Sequence, residues 1–205
     1  MVRVSANVRY RDRAKAANRV ESEHSLLFPM LFEQLDADRR LNVLDVGPAV
    51  PETIEFFSRF KCRLTIGDLF ADERLRDPKI AGSAFEHQLR NLLGRDSQVD
   101  ICLFWDYLNY LDIRAMRGFG NALFPYLHRD SRAHAFGALN TTTPVAGHRY
   151  GVTDLDRFVV RKLPDGQEGR HPHPQADFRE SLTCFEIKRG TLLREGRLEM
   201  LLAAA

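Results

Sequence analysis

The chain predicts an α/β fold, a mostly parallel sheet covered by helices on both faces, and three stretches carry that expectation. Residues 41 to 60 read as strand, tight turn and helix, residues 99 to 104 as an unbroken buried strand, and residues 175 to 203 as a helix followed by a closing hairpin. In the first stretch, Leu41-Asn-Val-Leu-Asp-Val-Gly47 is an apolar, β-branched run ending in an acid and a glycine. Pro51 then stands at a first helical position, where its missing N–H costs nothing. Glu52-Thr-Ile-Glu-Phe-Phe-Ser-Arg-Phe60 has the apolar spacing of one helix face.

Before this corner, Val20, Leu26, Leu27, Met30, Leu31 and Leu35 are spaced for a helix over residues 20 to 35. After it, Cys62-Arg-Leu-Thr-Ile-Gly-Asp68 predicts a second strand whose closing acid lies about 20 residues beyond Gly47, as a βαβ unit requires. A third strand is not evident; it is either compressed near Lys79-Ile80-Ala81 or lost. Phe85 to Leu93 reads as a short helix ended by Gly94, and Val99-Asp-Ile-Cys-Leu-Phe104 as a strand running into Trp105-Asp-Tyr-Leu-Asn-Tyr-Leu111. Ile113, Met116, Phe119, Leu123, Tyr126 and Leu127 form a helical stripe, and Arg132 to Leu139 a further strand. Gln175 to Leu182 predicts the last helix, with Thr183 to Lys188 and Leu198 to Ala203 as an antiparallel pair. The expected sheet has six or seven strands, with Val43 to Asp45 and Ile101 to Leu103 at its centre. Residues 1–40 form an N-terminal helical extension and residues 41–205 the main domain.

Composition narrows the function classes. With 205 residues, 44% hydrophobic and 28% charged, the chain has ordinary globular make-up for one α/β domain. A net charge of +2 gives no argument for nucleic acid. Arg3, Arg9, Arg11, Arg13, Lys15 and Arg19 cluster against Asp12, which reads first as a solvated face or a loose terminus. Cys62, Cys102 and Cys184 are far apart with no Cys-x-x-Cys pair, the pattern of reduced core thiols. No stretch has the length of a membrane span, so a soluble, cytoplasmic protein without a membrane partner is expected. A flat hydrophobic N-terminal helix would suit a homodimer. His171-Pro-His173 lacks a third ligand at metal spacing, so no metal is expected.

The turn after Asp45, the acid Asp68, the run Asp106, Leu108, Asn109, Tyr110, Leu111 and the terminal hairpin together resemble class I S-adenosylmethionine-dependent methyltransferases. The resemblance covers residues 41 to 205 and implies a three-layer Rossmann-like sheet with S-adenosylmethionine as cofactor. It implies that Asp45, Gly47 and Ala49 hold the methionine end, that Asp68 takes the ribose hydroxyls with Leu69 beside it, and that Asp106 and Tyr107 border the reaction centre. Trp105, His148, Arg149 and Tyr150 fall where the family builds acceptor pockets. The acceptor, a small molecule or a protein, is not identified.

Bland readings stand beside each of these. Asp45 can cap its own turn; Asp68 can be a loop carboxylate; Trp105 and Tyr107 can be core aromatics; His148, Arg149 and Tyr150 can be solvated loop residues. The turn also departs from the family's glycine-rich pattern. Gly47-Pro48-Ala49-Val50-Pro51 has two prolines without N–H donors, and Glu52 adds negative charge at the helix start. Two functions therefore remain: a methyltransferase, or a catalytically inactive domain of the same fold serving as a binding or assembly module.

Overall fold

A computed structural model describes residues 20–33, 39–145, 147–163 and 170–205. Its main sheet has six strands: β2 (Leu41–Asp45), β3 (Cys62–Ile66), β4 (Val99–Trp105), β5 (Leu127–Ala138), β8 (Phe185–Leu192) and β9 (Arg197–Ala204). They lie in the order β3-β2-β4-β5-β9-β8. β2 pairs in parallel with β3 and β4, β4 with β5, and β9 runs antiparallel to both β5 and β8. Val43 lies opposite Ile101 and Asp45 opposite Leu103, so the two expected central runs are neighbours. Every residue of β4 is buried, as a strand covered on both faces must be. Its one acid, Asp100, is compensated by Arg39, by His128 Nε2 at 2.9 Å and by the backbone N–H of Asn42 at 2.7 Å.

Helices α2 (Ala81–Leu93), α3 (Ile113–Leu123) and α4 (Gln175–Ser181) cover one face of this sheet. Phe85, Phe104, Phe119, Tyr107 and Met200 form the core beneath them. On the other face, helix α1 (Pro51–Ser58) joins a second, antiparallel sheet of β1 (Val20–His24), β7 (Arg157–Lys162) and β6 (His148–Asp154), in the order β1-β7-β6. Phe28, Phe56, Trp105, Phe136, Tyr150 and Phe158 fill the space between. His134 and Glu199, both buried, meet there at 2.8 Å, with Ser25 on the same carboxylate oxygen. Burial opposes ionisation of Glu199, yet the His134 and Ser25 contacts hold its carboxyl below the usual range.

Several expectations need correction. Where the spacing predicts a helix over residues 20 to 35, Val20–His24 is a strand paired with Arg157–Arg161, and Phe28–Leu31 is a single 3-10 turn entered through Pro29. The exposed residues of β1 gain ladder partners that a surface helix would not supply. The basic residues 3 to 19 lie outside the described residues. No third strand forms between β3 and α2 among the described residues. Asp77 instead accepts the N–H of Lys79 on its side chain and those of Ile80 and Ala81 on its backbone carbonyl, which nucleates α2 at Ala81. The helical stripe ends at Leu123, Pro125 follows, and β5 starts at Leu127 rather than at Arg132. His148 to Tyr150, expected in a loop, begin strand β6.

Candidate functional site

Parallel strands of an open α/β sheet present their carboxyl ends to a common crevice, and β2, β3 and β4 bring Asp45, Asp68 and Asp106 there. Asp45 caps its own turn: one carboxylate oxygen, Oδ1, accepts the Gly47 N–H at 2.8 Å and the Trp105 indole N–H at 2.7 Å. Burial pushes the Asp45 carboxyl up to about 6, and these two hydrogen bonds keep it from rising further. Gly47 is closely packed: a Cβ there would stand 3.0 Å from Trp105 Cδ1 and 3.1 Å from Asp45 Oδ1, so a larger residue would make these side chains shift. Trp105 itself has a left-handed backbone (φ 52°) at a register irregularity closing β4. Its indole stacks on Tyr150 with ring centres 5.2 Å apart and 7° between planes. Trp105 and Tyr150, expected at an acceptor pocket, are thus core aromatics that cover one side of the Gly47 turn.

The other side of that turn is open. The backbone N–H groups of Gly67 and Asp68 donate to Asp45 O at 2.7 Å and Gly47 O at 3.0 Å, which stitches the β2 and β3 turns together. This holds Asp68 in the left-handed region (φ 41°) with its side chain exposed and capping nothing. Pro48, Asp68, Phe70, Ala71, His148, Arg149 and Leu163 line a cavity of about 240 Å³. Ala49 lies just outside it and is exposed, whereas Leu69 is fully buried and donates its N–H to Val46 O.

Behind His148 lies a buried polar cluster. Asp106 Oδ2 accepts the His148 backbone N–H at 3.2 Å and stands 4.0 Å from His148 Nδ1. Asp106 is 3% exposed, and burial pushes its carboxyl up to about 7. Burial, with the cations Arg197, Lys162 and Arg170 nearby, pushes the His148 imidazole down to about 4. Tyr110 Oη and Arg170 Nη2 approach Gly147 so closely that a Cβ there would lie 2.7 Å and 2.8 Å from them. The Arg170 guanidinium sits 5.6 Å from the Tyr110 ring centre and donates through Nη1 to Val145 O at 2.6 Å. Asp106 Oδ1, Tyr110 Oη, His148 Nδ1 and Arg170 Nε and Nη2 are buried without a hydrogen-bond partner among the described residues. Such clusters are rare in folded proteins and need a reason.

The structure thus brings Asp68, His148 and Arg149 to one cavity, beside the turn that Gly47 begins, with Asp106 directly behind His148. Tyr107 is turned away: its ring packs 4.9 Å from Phe70 and 6.0 Å from Phe119, and burial drives its hydroxyl far above the ordinary range. Asn109, part of the methyltransferase-like run, is a clip. It donates to Phe136 O at 2.8 Å and accepts the N–H groups of His171 and His173. His173 bonds Asp177 and Leu111 O, which ties the loop before α4 to the end of β4. Tyr110 and Arg170 were not legible as site residues. Tyr110 stands only as one position of the methyltransferase-like run, with no role of its own, and Arg170 sits in a loop whose position only the tertiary structure decides.

No family model matches the chain. No curated protein matches it either. Solved structures do. The PH0226 protein from Pyrococcus horikoshii OT3 aligns over 96% of this chain and 91% of its own at 12% identity, with a TM-score of 0.50. The glycopeptide N-methyltransferase MtfA, complexed with S-adenosyl-L-methionine, aligns over 87% and 91% at 11% identity and a TM-score of 0.49. Against the pyocyanin biosynthetic protein PhzM the figures are 88% of this chain, 55% of that chain, 17% identity and 0.47, so the chain spans about half of that protein. Identities this low speak to architecture only. With its β3-β2-β4-β5-β9-β8 order and its single antiparallel strand β9, the chain has the Rossmann-like fold of class I S-adenosylmethionine-dependent methyltransferases.

Proposed function

We propose that this chain is an S-adenosylmethionine-dependent methyltransferase acting on a small-molecule acceptor. The observation that carries the reading is Asp68. Its exposed carboxylate, held by a left-handed turn stitched to Gly47, lines the same cavity as Pro48, Phe70 and His148. These residues fit an adenosyl group: Asp68 for a ribose diol, Phe70 and Ala71 for a flat apolar ring. Bound there, S-adenosylmethionine supplies an electrophilic methyl group. Around it, the chain's own residues orient and desolvate, because alignment of nucleophile and methyl carbon is the main demand of the reaction. Asp106, poised near neutrality, takes a proton from an acceptor that carries one. His148 stays neutral at that pH and closes the cavity toward Asp106.

A second reading rests on Trp105. The indole already occupies the Asp45 carboxylate and lies against Gly47, where the resemblance places the methionine end. Under that reading the domain is an inactive binding or assembly module. Calorimetric titration with S-adenosylmethionine and S-adenosylhomocysteine decides between them. The enzyme reading expects saturable binding weakened about tenfold in Asp68→Asn, a substitution that tolerates the left-handed backbone and leaves folding intact. No binding to a folded wild-type protein at millimolar ligand leaves the module reading.

A further inference from the structure

We infer that the polar cluster around Gly147 is a binding site for a small organic carboxylate, taken by Arg170 with Tyr110 and Asp106 beside it. Resting on the methyltransferase reading, that carboxylate belongs to the methyl acceptor; the binding itself stands without any methyl donor. Arg170 uses Nη1 on Val145 O, so the two nitrogens of its other edge, Nε and Nη2, remain without a partner among the described residues. That edge is a planar fork whose spacing matches the two oxygens of a carboxylate. Burying two guanidinium N–H groups unpaired is costly, and an incoming anion repays it.

Tyr110 is 1% exposed and Asp106 3%, so both are enclosed, and each has a polar atom without a partner among the described residues. The set therefore offers donors from Arg170 and Tyr110 and acceptors from Asp106 and His148. A ligand carrying both an anionic and a donor group complements this set. Shape favours a carboxylate: the open edge of Arg170 is a flat two-donor fork, and the unpaired Asp106 Oδ1 beside it suits a donor group on the same ligand. Aromatic surface favours a flat body. The Phe70 ring lies 5.2 Å from Tyr110 and lines the cavity that His148 closes, and Arg170 itself stacks over Tyr110.

The probes are benzoate and its neutral isostere benzamide, titrated into the full chain without S-adenosylmethionine and followed by NMR chemical-shift changes and calorimetry. Saturable benzoate binding, at least tenfold tighter than benzamide and weakened about tenfold or more in Arg170→Gln, supports the site. Tyr110→Phe keeps the ring and removes only the hydroxyl, so it should weaken benzoate severalfold while the unfolding temperature stays put. Equal binding of the two probes, benzoate binding untouched by Arg170→Gln, or no binding to a folded wild type overturns the inference. Failure of S-adenosylmethionine to bind, with benzoate binding intact, overturns the methyltransferase reading and leaves the carboxylate site.

Discussion

Trp105 and Asp45 are joined by a hydrogen bond of 2.7 Å from the indole N–H to the carboxylate oxygen that also accepts the Gly47 N–H. This one contact ties the ends of β4 and β2 together and anchors the aromatic stack of the second sheet. Trp105→Phe keeps most of the ring and deletes the donor. Loss of a hydrogen bond to a carboxylate should destabilise the fold by about 1.5–3 kcal/mol in urea unfolding. The Asp45 carboxyl should also climb above about 6, because the bond that lowers it is gone. An unchanged unfolding midpoint and titration would mean that the contact contributes nothing.

Asp45 and Asp106 make stability depend on pH in a particular sense. Both have folded-state values raised from 3.8, to about 6 and about 7. The folded chain therefore binds their protons more tightly than the unfolded one, and their contribution is complete below about pH 4. It is lost as pH rises to about 7. Asp106→Asn stays neutral at every pH, so that variant should match wild type near pH 4 and exceed it at pH 8 by up to about 4 kcal/mol. Chemical denaturation across pH 4 to 8 measures the difference, and parallel curves would refute the burial of an ionisable Asp106.

Ala49 tests the turn without touching the core. Its side chain is exposed, so Ala49→Leu should leave the folding free energy within about 0.5 kcal/mol of wild type. If the open side of the turn receives the methyl donor, the larger side chain abolishes S-adenosylmethionine binding in the same titration that wild type passes. Equal binding by both proteins would place the cofactor away from Ala49.

His134 and Glu199 form a pair with almost no solvent access, 0% and 1% exposed. His134→Ala removes the imidazole from the Glu199 carboxylate and opens a void beneath Phe28, whose ring lies 5.6 Å away. A loss of about 3–5 kcal/mol in equilibrium unfolding is expected. A loss under about 1 kcal/mol would mean that water or repacking compensates.

The strands of the main sheet were legible because their chemistry is local. Leu41 to Asp45 and Val99 to Phe104 carry the unbroken apolar pattern of doubly covered strands, and the acids closing β2 and β3 mark the crevice by their spacing alone. The resemblance in residues 106 to 111 placed Asp106 correctly at the end of β4. What the sequence by itself determined is thus the βαβ frame, the order of its elements and the acids at its carboxyl edge. The second sheet was decided only in three dimensions. Residues 20 to 24 have helical spacing downstream and no apolar face of their own, and become a strand because β7 offers a ladder. The same folding-over carries Tyr150 onto Trp105 and turns two expected acceptor residues into core. It also gathers Arg170 and His148, from segments far along the chain, around Asp106 and its near neighbour Tyr110. Their joint burial, rather than any motif, is what makes their unpaired polar atoms a site.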